Sequence, residues 1–294
     1  MTAKHAFSYS IKMSYDEFWQ SLQKRYDKGE ARAVARYVLE TAFGFSLTDI
    51  VCGAVEQLSN KDQHRLRNIQ QRLLNGEPVQ YVVGVADFGP RQFQVAPGVL
   101  IPRPETYELC QWIISNAGKH TLHILDIGTG SGCIACTLAS DIPQSNVEAW
   151  DISERALEIA GNNAKRSNVH VSFKQVDALH LTAEILQQKS NAIDIIVSNP
   201  PYICNKEASF MEPHVLEHEP HLALFVPDND PLLFYRSIAH FAQQSLVPGG
   251  CLYFEINPLY LDQMLFMLNQ TGFVQIEHRI DQFGKPRFIK AQKK

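Results

Sequence analysis

The chain has 294 residues, of which 45% are hydrophobic and 20% are charged, enough for one large domain or two unequal domains. A formal net charge of −4 argues against a broadly basic nucleic-acid-binding surface, and no apolar run approaches the roughly 20 residues of a membrane span. The first residues lack the pattern of a secretory signal, and the six cysteines are scattered. We therefore expect a cytoplasmic protein that requires neither a membrane nor direct contact with nucleic acid.

The first part of the chain predicts a small helical domain. Ser14-Tyr-Asp-Glu17 has the pattern of a capping box, and the residues after it place apolar side chains at helical spacing. Further helices are predicted over residues 30–42, with Gly44 as the stop, and from Ser59 onward. Residues 1–78 are therefore predicted to form a helical bundle.

Residues 79–104 predict a linker that contains a β-hairpin. Alternating and β-branched residues at 79–83 and 91–95 predict its two strands, and turn-forming residues lie between and after them. We expect this linker to join the helical domain to the rest of the chain.

Strand-like and helix-like segments alternate from residue 105 to residue 294. Helices are predicted, among others, over residues 155–167 and 232–246. The predicted strands are residues 123–127, 146–151, 170–175, 193–198, 251–256 and 273–279. This alternation predicts an α/β domain with a mostly parallel, doubly wound sheet.

A glycine loop follows the first predicted strand of this domain, in Ile124-Leu-Asp-Ile-Gly-Thr-Gly-Ser-Gly-Cys133. Its Gly-x-Gly-x-Gly spacing differs from the Gly-x-Gly-x-x-Gly of dinucleotide sites, and Asp126 would face a cation rather than a pyrophosphate. Asp151, at the end of the next predicted strand, is placed to accept hydrogen bonds from ribose hydroxyls. These features favour S-adenosylmethionine, a sulfonium cation, over a dinucleotide or a turn that binds nothing. Asp177, after the third strand, would lie near the adenine.

The fourth predicted strand runs into Asn199-Pro-Pro-Tyr202, the segment that indicates the chemistry. Prolines lack the backbone N–H, so carbonyl oxygens remain as the local hydrogen-bonding groups. The side-chain oxygen of Asn199 and the carbonyl of Pro200 can together accept both N–H bonds of a planar NH₂, and Tyr202 can stack on that group. This arrangement selects a carboxamide or a nucleobase amine as the methyl acceptor. The implied reaction is an in-line displacement that depends on positioning and needs no strong general base.

These motifs together resemble the release factor glutamine methyltransferases, the PrmC/HemK family. The resemblance covers nearly the whole chain and includes Gly76-Glu-Pro-Val-Gln-Tyr-Val-Val-Gly84, Leu100-Ile-Pro-Arg-Pro-Glu-Thr106, Glu219-Pro-His-Leu-Ala-Leu224 and Phe283-Gly-Lys-Pro-Arg-Phe288. It implies a Rossmann-like class I S-adenosylmethionine-dependent methyltransferase fold with an antiparallel C-terminal strand. It also implies that residues 1–78 recognise the substrate.

The resemblance assigns site residues by position. The implied cofactor-binding residues are Asp126, Gly128, Thr129, Gly130, Ser131, Gly132, Asp151, Asp177, Ala178 and Asn199. The implied substrate-binding residues are Asn199, Pro200, Pro201 and Tyr202, of which Asn199, Pro200 and Tyr202 are the catalytic ones. The implied reaction converts S-adenosylmethionine to S-adenosylhomocysteine and methylates N5 of the glutamine in the Gly-Gly-Gln loop of peptide chain release factors. We expect a monomer.

The chain departs from the family pattern at two positions of the expected cofactor pocket. One further segment bears on which substrate is methylated. Ala178 and Leu100 stand where some relatives carry tryptophan and phenylalanine, respectively. A sister family that methylates a ribosomal protein typically has Ile-Pro-Arg-Ser-Pro where this chain has Ile-Pro-Arg-Pro-Glu-Thr, which favours the release factor. Methylation of adenine N6 in a nucleic acid is a further alternative, disfavoured by the net charge, and a non-enzymatic binding module is disfavoured by the intact Asn-Pro-Pro-Tyr.

Two other patterns suggest metal or redox chemistry. His214-Val-Leu-Glu-His218, with His221 nearby, matches a zinc peptidase motif, but prolines bracket it closely and a further ligand is required. Cys133 and Cys136 have the spacing of a redox pair but lie at the start of the helix after the glycine loop. We therefore expect solvated histidines in a loop covering the active site, buried thiols and no metal.

Overall fold

A computed structural model of the chain describes residues 12–118 and 120–294. The described residues divide into two compact units, one up to Val83 and one from Gly84 onward. Each unit has a hydrophobic core of its own. Among the described residues, no helix is both long enough and apolar enough to cross a membrane.

The first unit is a helical bundle, as its periodicity predicts. It comprises α1 (Tyr15–Leu22), α2 (Lys28–Phe43), α3 (Leu47–Val51), α4 (Asn60–Leu74) and α5 (Val79–Val83). The predicted capping box is present, since the Ser14 hydroxyl accepts from the N–H of Glu17 and the Glu17 carboxylate accepts from the N–H of Ser14. Ser59 and Gly44 occupy the predicted N-cap of α4 and C-cap of α2. The apolar faces of these helices form the core of the unit.

The prediction that residues 79–83 form the first strand of the linker is wrong. Residues 79–83 form helix α5 and belong to the first unit. Arg72 of α4 donates hydrogen bonds to the carbonyls of Tyr81 (3.2 Å) and Val82 (3.1 Å), which satisfies backbone acceptors at the end of α5. Tertiary contacts of this kind override the strand propensity of a β-branched segment.

The hairpin of the linker lies further along the chain and belongs to the second unit. It consists of β1 (Val85–Phe88) paired antiparallel with β2 (Arg91–Gln94). The second predicted hairpin strand is therefore confirmed, while the first is shifted past Gly84.

The second unit alternates strands and helices around one large sheet. After β1 and β2 it contains α6 (Pro104–Asn116), β3 (His123–Ile127), α7 (Cys133–Asp141), β4 (Asn146–Asp151), α8 (Glu154–Arg166), β5 (Val171–Gln175), α9 (Ala183–Lys189), β6 (Ile193–Ser198), β7 (Ile203–Cys204), α10 (Pro213–His218), α11 (His221–Leu224), β8 (Phe225–Val226), α12 (Leu233–Ser245), β9 (Leu246–Glu255), α13 (Leu261–Gln270), β10 (Phe273–Ile280) and β11 (Pro286–Lys293). Short 3-10 helices cover Asn205–Phe210 and Pro258–Tyr260.

Among the described residues, seven strands form the large sheet, in the order β10-β11-β9-β6-β3-β4-β5. The neighbours from β9 to β5 pair in parallel, whereas β11 runs antiparallel to both β9 and β10. The predicted mostly parallel sheet with an antiparallel C-terminal strand is confirmed.

The strand order reverses at β3, which lies between β4 and β6. At such a point the loops leaving neighbouring strands diverge to opposite faces, and ligands of open α/β sheets bind in the resulting crevice. The glycine loop leaves β3 and the Asn-Pro-Pro-Tyr segment leaves β6, so the fold places both at this crevice.

Candidate active site

The register of the sheet brings the two diagnostic segments side by side. Ile127, the last residue of β3, is the register partner of Ser198, the last residue of β6. The Ser198 hydroxyl donates a 2.6 Å hydrogen bond to the carbonyl of Ile127, which ties the two strand ends together. The glycine loop and Asn199 therefore begin from adjacent points on the sheet edge.

A cavity of about 500 Å³ lies at this edge, a size typical of small-molecule sites. The predicted site residues that line it are Gly128, Thr129, Gly130, Ser131, Asp151, Asp177, Ala178, Asn199, Pro200 and Pro201. The fold thus brings together segments that follow β3, β4, β5 and β6. Leu100, at one of the positions that depart from the family pattern, also lines the cavity.

Three predicted site residues, Asp126, Gly132 and Tyr202, do not line this cavity. Gly132 is the N-cap of α7 with φ 79°, and a Cβ there would lie 2.9 Å from the Cβ of Ala160. Gly132 therefore serves the close packing of α7 against α8 rather than direct contact with a ligand.

The position of Tyr202 corrects the expectation that its ring stacks on the substrate amide. The ring packs against the core between the sheet and α12, and the hydroxyl donates a 3.2 Å hydrogen bond to the Glu255 carboxylate. Burial raises the pKa of Tyr202 well above its usual range. A buried phenol needs a hydrogen-bond partner, and Glu255 provides it. Tyr202 thus anchors the Asn-Pro-Pro-Tyr segment to the core.

Asp126 lies buried directly behind the cavity wall. It is 0% exposed, and its Oδ2 accepts a 2.7 Å hydrogen bond from the hydroxyl of Thr129, which does line the cavity. Its Oδ1 accepts no hydrogen bond of standard geometry from the part of the chain that the structure describes. Burial raises the pKa of Asp126 to about 7, and the bond from Thr129 counteracts this only in part. A cation in the cavity would stabilise the ionised carboxylate.

Asp151 organises the glycine loop. Its Oδ2 accepts a 2.9 Å hydrogen bond from the N–H of Gly130, and its Oδ1 accepts one of 2.9 Å from the N–H of Ser153, the N-cap of α8. Burial raises the pKa of Asp151. Each carboxylate oxygen retains a further lone pair that can accept from a ribose hydroxyl.

The glycines of the loop leave room for a ligand. A Cβ on Gly130, which has φ 54°, would meet no atom of the described residues within 4 Å. The open side of this backbone faces the cavity, so a ligand can approach it more closely than any residue with a side chain would allow. The loop, Asp151 and the buried Asp126 together fit a ligand that combines a ribose with a nearby positive charge.

Asp177 and Ala178 lie on the cavity wall after β5. The carboxylate of Asp177 accepts a 2.8 Å hydrogen bond from the N–H of Leu179, and its other oxygen lies 2.7 Å from Nδ1 of His180. The side chain of Asp177 is one-third exposed. The carbonyl of Ala178 accepts from the hydroxyl of Ser237. The side chain of Asp177 is therefore already engaged within the protein.

Asn199 is held by a residue that the sequence reasoning did not assign to the site. Its Nδ2 donates a 3.3 Å hydrogen bond to the hydroxyl of Thr106, which in turn donates one of 2.6 Å to Glu255 at the end of β9. Thr106 lies in the Ile-Pro-Arg-Pro-Glu-Thr segment, and the resemblance of that segment to the family pattern is the signal that could have pointed to it. The signal that could have pointed to Glu255 is its position as an acidic residue near the end of an otherwise apolar predicted strand.

An ion pair joins two further segments that border the cavity. Arg103 pairs with Glu219 at 2.5 Å, and the other Glu219 oxygen accepts from the N–H of Ile101 at 3.1 Å. The Glu219 side chain is buried. These contacts connect the Leu100–Thr106 segment to the Glu219–Leu224 segment. Both segments carry the resemblance to the family in the sequence, but the sequence assigned no role to either of them.

The cysteine pattern is explained by packing. Cys133 and Cys136 are buried in α7, and burial raises the pKa of each thiol to about 12. Such thiols are not ionised near neutral pH and are poor nucleophiles. The expectation of buried thiols is confirmed.

The histidine pattern lies on α10, which carries His214 and His218, and at the start of α11, which begins at His221. His214 and His218 are half-buried rather than solvated, and the exposed His221 packs its ring edge-on against Phe225. Within residues 12–118 and 120–294, no group of three or more potential metal-ligating side chains occurs.

The chain is similar to known proteins over most of its length. The family model described as the Methyltransferase small domain matches residues 109–218, and the PrmC N-terminal domain matches residues 16–84. A release factor glutamine methyltransferase from Bacteroides thetaiotaomicron is 45% identical over 274 residues, which cover 93% of this chain and 97% of the relative. One from Flavobacterium psychrophilum is 39% identical over 285 residues, which cover 96% and 98%.

A comparison of structures supports the fold. The methyltransferase domain of METTL16 superimposes with a TM-score of 0.51 at 18% identity, over 68% of this chain and 88% of that chain. The second unit thus has the Rossmann-like fold of class I S-adenosylmethionine-dependent methyltransferases. Since a relative at 45% identity matches over nearly the full length of both proteins, the chain belongs to the release factor glutamine methyltransferase family.

Proposed function

We propose that the chain transfers a methyl group from S-adenosylmethionine to N5 of the glutamine in the Gly-Gly-Gln loop of a peptide chain release factor. The observation that carries the proposal is the position of Asn199, which lines the cavity beside the glycine loop of the neighbouring strand. The names of relatives at 45% and 39% identity support the substrate class.

The methyl donor fits the cavity at the glycine loop. When bound, S-adenosylmethionine supplies an electrophilic methyl group on a cationic sulfur. The backbone at Gly128 and Gly130 cradles the ligand, and Asp151 accepts from its ribose hydroxyls. Asp177 and Ala178 border the adenine side, and Asp126 stabilises the positive charge from behind Thr129.

The methyl acceptor is held by the segment that follows β6. The Asn199 Oδ1 and the Pro200 carbonyl accept the two N–H bonds of the glutamine amide, because neither Pro200 nor Pro201 offers a competing backbone donor. An amide nitrogen is a weak nucleophile, so correct placement opposite the methyl group accounts for much of the catalysis. We assign no strong general base, because the nitrogen becomes acidic once it has been methylated and can then release its proton.

We assign recognition of the protein substrate to the N-terminal helical unit. Its match to the PrmC N-terminal domain supports this role. Leu47 and Val51 at the two ends of α3 are 50% and 77% exposed, so this helix presents apolar side chains that suit contact with a protein partner. The partner we propose is the release factor itself.

Incubation with labelled S-adenosylmethionine tests the proposed substrate. We expect label in one glutamine of a release factor, located by peptide mapping, and we expect Gln→Ala in the Gly-Gly-Gln loop to abolish it. Replacement of a glutamine elsewhere in the same release factor is the control and should leave the labelling intact. Label found instead in a ribosomal protein or in adenine would overturn the substrate assignment.

The raised pKa of Asp126 leads to a prediction about cofactor affinity. A cationic ligand favours the ionised carboxylate, so binding releases a proton and affinity rises as the pH increases through about 7. We expect the affinity for S-adenosylmethionine to be about tenfold weaker at about pH 6 than at about pH 8. Isothermal titration calorimetry in buffers of different ionisation enthalpy measures both the affinity and the released proton.

Asp126→Asn is the matched control for this titration. The variant keeps the hydrogen bond from Thr129 but has no charge to titrate, so only the titration of the cofactor itself should remain. If wild type and variant show the same pH dependence, Asp126 does not couple to the cofactor charge.

A further inference from the structure

A buried chain of hydrogen bonds runs from the candidate active site into the protein core. Thr106 and Glu255 are 4% and 2% exposed. Asn199 Nδ2 donates to the Thr106 hydroxyl, and that hydroxyl donates to Glu255 Oε2. The other carboxylate oxygen, Oε1, accepts from the hydroxyl of Tyr202. Thr106 and Asn199 border the cavity, whereas Glu255 does not line it.

The chemistry of this chain fixes the direction of every hydrogen bond in it. An ionised carboxylate only accepts, so the single hydrogen of the Thr106 hydroxyl must point at Glu255. The hydroxyl then offers only a lone pair to Asn199, and only the NH₂ end of the asparagine amide can use it. The Asn199 oxygen is thereby turned away from Thr106.

Burial raises the pKa of the Glu255 carboxyl group, and the contacts around it act against that shift. Thr106 and Tyr202 both present hydroxyl donors to it, and the positive charge of Arg287 lies close enough to favour the carboxylate. Arg287 is itself held by Asp281 through a 3.1 Å ion pair. The carboxylate therefore has two donors and a nearby cation, which offset part of the penalty of burial.

We propose that Glu255 and Thr106 form a positioning relay that sets the amide of Asn199 with its oxygen toward the substrate nitrogen. This proposal rests on the proposed function, because the orientation matters only when the acceptor is an NH₂ group. If the Asn199 amide were flipped, its own N–H bonds would face those of the substrate, and the Pro200 carbonyl would be the one acceptor left for the substrate NH₂. The relay thus decides whether Asn199 attracts or repels the methyl acceptor.

Thr106→Val tests the relay, because valine has nearly the same shape as threonine but no hydroxyl. We expect kcat for glutamine methylation to fall about 10- to 100-fold, while Kd for S-adenosylmethionine changes less than about threefold. Thr106→Ser should restore most of the lost activity, because it restores the hydroxyl. Thr137→Val, which removes another buried hydroxyl, one without a hydrogen-bond partner among the described residues, is the matched control and should leave kcat unchanged.

A double-mutant cycle separates this role from a structural one. In an Asn199→Ala background the relay has nothing left to orient, so Thr106→Val should cause almost no further loss of kcat. If the two losses instead multiply, Thr106 acts independently of Asn199 and the relay is refuted.

A nuclear magnetic resonance measurement tests the relay without any methylation. The side-chain NH₂ of Asn199, assigned from its disappearance in Asn199→Ala, should exchange slowly with water in wild type and faster in Thr106→Val. Unchanged exchange would overturn the relay, whereas absence of glutamine methylation by the wild-type protein would overturn the proposed function instead.

Discussion

Replacement of Asn199 by alanine is expected to lower kcat for glutamine methylation about 100- to 1,000-fold. The side-chain oxygen is one of two acceptors that hold the substrate NH₂, and alanine leaves only the Pro200 carbonyl to orient it. Because the cofactor is bound mainly by the glycine loop and Asp151, its Kd should change less than about threefold. Single-turnover kinetics and calorimetry measure the two quantities separately.

The control for this experiment is Asn205→Ala. Asn205 follows the same segment but is exposed, and its side chain donates to the carbonyl of Val226 rather than toward the cavity. We expect kcat and Kd of this variant to stay close to wild type. If Asn199→Ala weakened cofactor binding as much as it slowed transfer, Asn199 would be a cofactor ligand and the division of roles would be wrong.

Replacement of Asp151 by alanine is expected to weaken the binding of S-adenosylmethionine about 100-fold. The change removes the acceptor of two charge-assisted hydrogen bonds, one from the N–H of Gly130 in the loop and one from the N–H of Ser153 at the start of α8. It also removes the acceptor for the ribose. S-adenosylhomocysteine has the same ribose, so its affinity should fall by a similar factor. Calorimetric titration with both ligands provides the comparison.

Asp177→Ala is the matched control for Asp151→Ala. Asp151 ends β4 and Asp177 lies just after the neighbouring strand β5, and both line the cavity. Asp177 is more exposed, and it is engaged by Leu179 and His180 outside the glycine loop. We expect its removal to change Kd less than about fivefold. A thermal unfolding measurement on each variant shows whether an affinity loss reflects loss of folded protein. Equal losses at the two positions would contradict the assignment of the ribose to Asp151.

Much of the fold and the cavity could be predicted from the sequence, because the signals involved are local. Helix periodicity and caps located α1, α2 and α4, and buried apolar runs located the central parallel strands. In a parallel sheet the carboxyl ends of neighbouring strands meet at one edge. The loops after β3, β4, β5 and β6 were therefore expected to gather there, and they line one cavity.

The details that the sequence missed depend on contacts between distant residues. The segment 79–83 has strand-like composition, but hydrogen bonds from Arg72 to its carbonyls support a helix. Tyr202 was expected to face the substrate, yet its ring packs in the core because Glu255 offers its hydroxyl a buried acceptor.

The sequence by itself determined which segments form the site, since periodicity, turn residues and short motifs act within a few positions along the chain. Only the tertiary structure decided how the side chains of the site are oriented. Thr106 and Glu255 are 149 positions apart, and they meet because α6 carries one and the end of β9 carries the other. Hydrogen-bond direction is a property of such three-dimensional neighbours, and no spacing in a sequence encodes it.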